Sequence, residues 1–162
     1  MFRARLLLVP LAVAAAALMS GCASQGPMGP QTTTPTMAPE IPPKIRAEEI
    51  TGRWGLAAFH KQEDRARTET MARNGCKQPY VITMGPTGGV MMHLADSAKA
   101  EELRMKGAPG DKTFIGPAGE TPGMQDREIV SFDGRVMVTR FVDPEVNSRY
   151  GTQVFVRCAP RA

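Results

Sequence analysis

The histidines and methionines are the side chains in this 162-residue sequence with the clearest capacity for chemistry. Thioether and imidazole groups are suitable ligands for Cu(I) in an oxidising compartment. His93 alternates with Met91 on a strand-like run, whereas His60 follows the apolar run that ends at Phe59. These methionines nevertheless occupy positions where core residues belong, and Met commonly fills irregular gaps in a core. We therefore favour packing over copper binding, and we predict no metal site and no cofactor.

Nucleophilic and acid–base catalysis have little support in the sequence. None of the three serines from residue 47 onward lies in a Gly-x-Ser-x-Gly nucleophile elbow. The glycine-rich stretch at 85–89 lacks the Lys and the spacing of a phosphate-binding loop. The paired carboxylates are sequence neighbours, whose side chains diverge on a strand and on a helix; the pairs are Glu48-Glu49, Glu63-Asp64 and Glu101-Glu102. We predict that the protein is not an enzyme.

The N-terminus has the features of an export signal. A basic head ends at Arg5, an uncharged run of fourteen residues follows at 6–19, and Ser20 and Gly21 precede Cys22. The uncharged run is shorter than the roughly 20 residues that a membrane-spanning helix needs. Its end resembles the lipobox of bacterial lipoproteins, in which two small residues precede a Cys. An ordinary signal peptide with a free Cys, or a buried helix of the fold, is the alternative interpretation.

The resemblance to lipoproteins implies a processing step and a location. Residues 1–21 would be removed as the signal peptide, and Cys22 would become a lipidated, acylated N-terminus that anchors the protein stably. In enterobacterial lipoproteins an Asp after the Cys retains the protein in the inner membrane. Ala23 stands at that position, which implies the outer membrane, with the following domain facing the periplasm.

A Pro- and Thr-rich stretch follows the lipobox. Between Ala23 and Pro43 there are six prolines and four threonines, but only one charged residue and no aromatic residue. Such a stretch cannot bury enough apolar surface to offset the entropy of ordering it. We predict a disordered tether over residues 22–46 and one globular domain over residues 47–162. A role in threading through peptidoglycan is an alternative to a plain spacer.

Composition and charge exclude several classes of protein. With 42% hydrophobic and 22% charged residues, the chain is not a multi-span membrane protein, a coiled coil or a wholly disordered chain. The formal charge of +4 falls to +2 when Arg3 and Arg5 leave with the signal, so we predict no nucleic-acid partner. The expected partners are the membrane, through the lipid anchor, and an envelope protein or peptidoglycan.

If Cys22 carries the lipid, Cys76 and Cys158 are the two cysteines that remain. The periplasm is oxidising, and the chain contains no Cys-x-x-Cys redox pattern. We predict a Cys76–Cys158 disulfide, which contributes about 4–5 kcal/mol in the chain-entropy model. A catalytic or redox thiol is the alternative.

Strand signals dominate the predicted domain. Trp54 and Leu56 share one face of the first run, and Val154, Val156 and Cys158 share one face of the last, which we take to be the inward face. The predicted strands are bounded by Gly and Pro clusters; they cover residues 50–59, 79–84, 90–94, 102–106, 113–115, 127–132, 135–142 and 151–158.

Asp133-Gly134 lies between two of these runs and predicts a tight hairpin. Asp-Gly favours the positive φ angles that a two-residue hairpin loop requires. A loop of these two residues pairs Phe132 with Arg135.

Residues 60–74 differ from the rest of the domain. They are rich in Lys, Glu, Arg and Ala, and Gly75 follows as a helix stop. We predict one helix here, which packs lightly on the sheet through Ala66, Met71 and Ala72.

The predicted fold class is mainly β (α+β), with about eight antiparallel strands in a small barrel or a strongly curved sheet. Gly52-Arg53-Trp54 matches the Gly-x-Trp pattern in the first strand of lipocalin-like barrels. Arg157 in the last strand stands where those proteins have an Arg that packs over the Trp. The domain thus resembles small lipocalin-like envelope proteins, which include disulfide-bonded periplasmic protease inhibitors. A core Trp in another kind of β-sheet is the alternative.

We therefore predict a non-enzymatic envelope lipoprotein that presents a small β domain for binding or structural interaction. The alternative is a lipocalin-like protein that carries an apolar ligand or inhibits a periplasmic protease. An open apolar cavity favours the carrier, whereas an interior filled with side chains favours the binding module. An inhibitor needs an exposed, extended segment close to the domain.

Overall fold

Eight antiparallel strands form a closed barrel in the computed structural model, which describes residues 40–159. Each strand pairs with the next along the chain, and the last returns to pair with the first. The predicted fold class is thereby confirmed, and closure leaves no free sheet edge. The strands are β1 (Gly52–Phe59), β2 (Tyr80–Met84), β3 (Val90–His93), β4 (Ala100–Ala108), β5 (Lys112–Gly116), β6 (Arg127–Phe132), β7 (Val136–Phe141) and β8 (Thr152–Arg157).

Three α-helices accompany the barrel in the described part of the chain: α1 (Ala47–Ile50), α2 (Arg65–Asn74) and α3 (Pro144–Tyr150). A 3₁₀ turn at Gln62–Asp64 leads into α2, so the helix predicted near 60–74 is present. Its buried residues are Thr68 and Ala72, whereas Ala66 and Met71 are exposed, so the predicted packing through those two residues is wrong. The two shorter helices were not predicted. Within residues 40–159, no helix is long and apolar enough to cross a bilayer.

Side chains fill the barrel interior around Trp54. The indole of Trp54 is fully buried, and its Nε1 donates a hydrogen bond to the Ile50 carbonyl oxygen at 2.9 Å. Because Ala47 and Ile50 belong to the same apolar cluster, α1 covers this end of the barrel, which we call the closed end. The other buried members of the cluster are Ile82, Val90, Met92, Leu103, Ile115, Ile129, Met137 and Phe155.

A second apolar layer lies on the outside of the barrel, under α2. Ala72 of α2 packs there against Val154 and Val156 of β8. Val154, Val156 and Cys158 therefore share a face as predicted, but it is the outer face, and the prediction of an inward Cys158 is wrong. Alternation along β8 places Phe155 inside instead. The alternation of residues along β8 could not show which face points inward, because apolar neighbours cover both faces of this strand.

A disulfide joins Cys76 to Cys158, with their Cα atoms 5.6 Å apart, which confirms the predicted pairing. Cys76 lies in a 3₁₀ turn directly after α2, and Cys158 directly follows β8. The bond therefore fixes the end of the helix to the strand on which the helix packs.

The hairpin between β6 and β7 has a different register from the predicted one. Phe132 pairs with Met137, and Asp133 N–H donates to the Val136 carbonyl oxygen. The two loop residues are thus Gly134, with φ of 83°, and Arg135, so the predicted pairing of Phe132 with Arg135 is wrong. Asp133 Oδ1 accepts from Arg135 N and Val136 N, which makes the Asp a cap of the turn instead of a member of it.

The segment before α1 lies against the barrel. The backbone N–H of Lys44 donates to Thr113 Oγ1 on β5 at 3.2 Å. The carbonyl oxygens of Ile41 and Pro42 occupy the place where a Cβ on Gly107 of β4 would lie. These residues fall within the predicted 22–46 tether. The predicted signal peptide (1–21), Cys22 and Ala23 lie outside the described residues.

Candidate functional site

A cavity of about 420 Å³ opens at the end of the barrel opposite α1, which we call the open end. Its volume falls within the usual range for small-molecule sites, about 300–1,000 Å³. Strand ends and the 94–98 loop form its wall, which is largely apolar. The apolar and aromatic lining residues are Leu56, Tyr80, Leu94, Ala95, Ala98, Phe141, Tyr150 and Phe155, and the other lining residues are His93, Asp96, Ser97, Arg127 and Gln153.

Arg127 is the only buried charged side chain among these lining residues, with 4% of its surface exposed. Its position at the start of β6 places it on the same face as Ile129, which is part of the inner core. Nη2 donates to the His93 carbonyl oxygen at 2.6 Å, and Nη1 donates to Gln153 Oε1 at 3.3 Å. Burial lowers the pKa of this guanidinium from its usual value. Both hydrogen-bond acceptors of this buried cation in the cavity wall are therefore uncharged.

Tyr80 and His93 form a second polar pair at the cavity. The Tyr80 hydroxyl accepts a hydrogen bond from the backbone N–H of His93 at 2.9 Å and lies 3.2 Å from its Nδ1. This contact crosses from β2 to the end of β3. Among residues 40–159, no carboxylate oxygen lies within 4 Å of a His93 ring nitrogen, so a carboxylate-assisted His base is not assembled there.

Asp96, Arg149 and Tyr150 form a cluster at the cavity entrance, which we call the rim clasp. Asp96 Oδ2 lies 2.8 Å from Arg149 Nη2, and Asp96 Oδ1 accepts from the Tyr150 hydroxyl. The clasp therefore ties the β3–β4 loop to α3. The hydrogen bond from Tyr150, reinforced by Arg149, lowers the pKa of Asp96, and the same hydrogen bond raises the pKa of Tyr150.

α3 exists because its ends carry strong local signals. Asp143 Oδ1 accepts from Glu145 N at 2.8 Å and from Val146 N at 3.2 Å, which caps the first turn. Pro144 occupies the first helical position, and Gly151, with φ of 71°, ends the helix. The sequence contained these signals, and a search for Asp-Pro before and Gly after a short segment would have found this helix.

Gly52, Trp54 and Arg157, the residues that carry the lipocalin-like resemblance, meet at the closed end. The Arg157 guanidinium lies 4.2 Å from the centroid of the Trp54 ring. Its Nε, Nη1 and Nη2 donate to the carbonyl oxygens of Gly134, Thr51 and Glu49 at 2.7, 2.8 and 2.6 Å, respectively. A Cβ on Gly52 would lie 2.8 Å from Arg157 Nη1. Arg157 thus connects β8 to the β6–β7 turn and to α1, and the cluster has a structural role.

The two histidines lie apart, and the methionines are divided between the inner core and the surface. His60 is exposed after β1, whereas His93 lines the cavity. Met92 and Met137 are fully buried in the inner core, and Met84 is exposed. Residues 40–159 also hold no group of three or more His, Cys, Asp or Glu side chains placed to bind a metal ion.

The cavity residues were missed because they come from distant parts of the chain. Tyr80, His93, Arg127 and Gln153 belong to four different strands, and only closure of the barrel brings them together. One signal was present: Arg127 alternates with Ile129 and therefore occupies an inward position. Comparisons of this chain with protein-family models, with curated proteins and with solved structures found no match.

Proposed function

We propose that this chain is a non-enzymatic, outer-membrane-anchored lipoprotein whose barrel binds and carries a small molecule with an apolar body. The observation that carries the proposal is the apolar cavity of about 420 Å³ at the open end of the barrel. Leu56, Leu94 and Phe155 offer the apolar contact that such a ligand needs. The lipid anchor at Cys22 and the lipocalin-like relationship belong to the same proposal.

The two ends of the barrel favour a carrier over a plain binding module. The interior near Trp54 is packed, which gives the domain its stability, while the open end leaves space between aromatic side chains. A module that acted only through its outer surface would have no use for a cavity of this size. On this proposal the packed end stabilises the fold, and the cavity at the open end binds the ligand.

The inhibitor alternative has less support from the contacts of the tether. Residues 41–44 run along β4 and β5 and are held there by the Lys44–Thr113 hydrogen bond. These residues are close to the domain, as an inhibitory segment must be, but their hydrogen bond to β5 and their contact with β4 hold them along the barrel, whereas a segment that enters an active-site cleft must also project from it. We therefore prefer the carrier.

A fluorescent probe tests the carrier proposal. We expect N-phenyl-1-naphthylamine, a neutral apolar dye, to bind the full-length chain carrying Cys22→Ser with an increase in its fluorescence. Substitution of Leu56 by Gln in the cavity wall should weaken dye binding, because it places an unpaired amide against the ligand. The matched control is Val81→Gln on β2, where the exposed side chain lies outside the cavity lining. Dye binding that Leu56→Gln and Val81→Gln affect equally would contradict the proposal.

A further inference from the structure

Arg127 is a buried cation without an acidic partner. Both of its hydrogen-bond acceptors, the His93 carbonyl oxygen and Gln153 Oε1, are neutral. Among residues 40–159, no carboxylate oxygen lies within 4 Å of its guanidinium nitrogens. Arg127 therefore forms no ion pair with an acidic side chain in this part of the chain, and its ring contact with Phe141, at 4.9 Å, is also uncharged.

The other buried cation among residues 40–159, Lys106, shows how the same fold accommodates such a charge elsewhere. Lys106, with 5% of its side chain exposed, lies 2.7 Å from Asp126 Oδ1 and also donates to the carbonyl oxygens of Pro117 and Glu120. Asp126 in turn accepts from Gly123 N at 2.8 Å. Because an unpaired buried charge is strongly unfavourable, pairing of this kind is the rule. Arg127 departs from that rule at the wall of a cavity.

The guanidinium has hydrogen-bonding capacity left. Arginine offers five N–H donors, and the structure provides Arg127 with two acceptors. Nε is buried and has no acceptor. A planar set of unused donors on a buried cation is suited to an oxyanion, above all to one that two parallel hydrogen bonds can hold.

We propose that Arg127 is the anchor for the carboxylate head of an amphipathic ligand, whose apolar body lies against Leu56, Leu94 and Phe155. This inference rests on the proposed carrier function and specifies its ligand class. A single-charged carboxylate fits better than a phosphate monoester, because Arg127 is the only Lys or Arg that lines the cavity. The carboxylate of Asp96 also lines it, which disfavours a second negative charge.

The test compares ligands that share one chain and differ in the head group. Decanoate, 1-decanol and decyl phosphate, each below its micellar concentration, compete with N-phenyl-1-naphthylamine on the full-length Cys22→Ser chain. We expect decanoate to displace the dye at the lowest concentration. In Arg127→Met, decanoate should bind about 10- to 100-fold more weakly, the loss of a charge-assisted hydrogen bond, while 1-decanol should change by less than about threefold.

Arg140→Met is the matched control, since Arg140 lies on the adjacent strand, pairs with Glu128 and does not line the cavity. It should leave decanoate binding unchanged. Equal affinities for decanoate and 1-decanol, or tighter binding of decyl phosphate, would overturn the carboxylate assignment while leaving the carrier function intact. Failure of the dye and of all three competitors to bind would reject the carrier function and, with it, this inference.

A measurement on the chain with Arg127 intact keeps the inference testable if Arg127→Met does not fold. The Nε–H resonance of Arg127 in the ¹⁵N-labelled chain, identified by its loss in Arg127→Lys, should shift on addition of decanoate. It should not shift comparably on addition of 1-decanol. A resonance that responds equally to both compounds would show that the head group does not reach Arg127, and the inference would be wrong.

Discussion

At the scale of single residues, Gly55 sets how closely α2 approaches the barrel. A Cβ at this position would overlap the Ala72 carbonyl oxygen and would lie 3.1 Å from the backbone nitrogen of Cys76. Both obstacles are backbone atoms, which cannot turn away as a flexible side chain can. Ala72, fully buried at this contact, packs closely because residue 55 has no side chain.

We expect Gly55→Ala to lower the free energy of unfolding by about 1–3 kcal/mol, the usual cost of overpacking. Urea denaturation of the variant and of the parent chain measures the difference. The control is Gly123→Ala, because the nearest atom to a Cβ there lies 3.4 Å away, and we expect a change below about 0.5 kcal/mol. Equal stability of the two variants would contradict the close contact.

Arg127 and Arg157 show that one residue type serves two purposes in this barrel. Arg157 donates to three carbonyl oxygens and lies over Trp54, so its capacity is largely used inside the protein. Arg127 stacks near the Phe141 ring at 4.9 Å but keeps donors without acceptors. The difference in unused capacity, not the residue type, separates a structural arginine from a candidate binding group.

At the scale of elements, the rim clasp makes the entrance of the cavity sensitive to extreme pH. The pKa of Asp96 is lowered in the folded chain. The clasp therefore stabilises the folded entrance fully at pH values above the pKa of an unfolded Asp, about 3.9. That contribution is lost as the pH falls through the folded pKa of Asp96. The pKa of Tyr150 is raised, so the clasp is also lost when the pH rises through a value above about 10.

The expected result is an acid step below pH about 3.9 and an alkaline step above pH about 10 in the ¹³Cα NMR shifts of Ala95 and Ser97, which remain observable when amide protons exchange rapidly. Asp96→Asn removes the titrating carboxyl and should abolish the acid step. A midpoint at the ordinary Asp value in the parent chain would argue against the contact between Asp96 and Tyr150.

The elements differ in how far they could be predicted from the sequence. The first strand was identifiable because Trp54 and Leu56 alternate with the small residues Gly55 and Ala57. The Cys76–Cys158 disulfide was predictable for a different reason: these are the two cysteines that remain once Cys22 is assigned to the lipid. The register of the β6–β7 hairpin could not be predicted, because the Asp133 carboxylate caps the loop while its backbone belongs to the residues that flank the loop. The face of β8 was misassigned because α2 covers the outer face with its own apolar layer.

At the scale of the whole molecule, the barrel has one packed end and one open end, and the cavity depends on both. The cavity residues come from strands far apart in the sequence, so no local pattern brings them together before the barrel closes. The packed end around Trp54 provides the rigid frame on which Tyr80 and Arg127 are held. Function, on this proposal, is a property of the closed barrel and not of any motif.

The proposed lipid anchor is also tested at the scale of the whole chain. We expect Cys22→Ser to move the protein from the membrane fraction to the soluble fraction and to abolish labelling with palmitate, because the thiol that would carry the lipid is gone. Fractionation and labelling of cells that produce each variant provide the measurement. Ser24→Ala, two residues further on, should leave both unchanged. Membrane retention of Cys22→Ser would count against lipidation.

The Cys76–Cys158 bond closes a covalent ring that contains β2 to β8 and leaves β1 outside it. Tension applied from the N-terminal side of the domain therefore reaches β1 before it reaches any strand inside the ring. Under such a load the first strand is the part that can peel away, at the expense of its hydrogen bonds to β8 and β2. The other seven strands remain inside one covalent loop, so β1 can pair with β2 and β8 again when the tension is released.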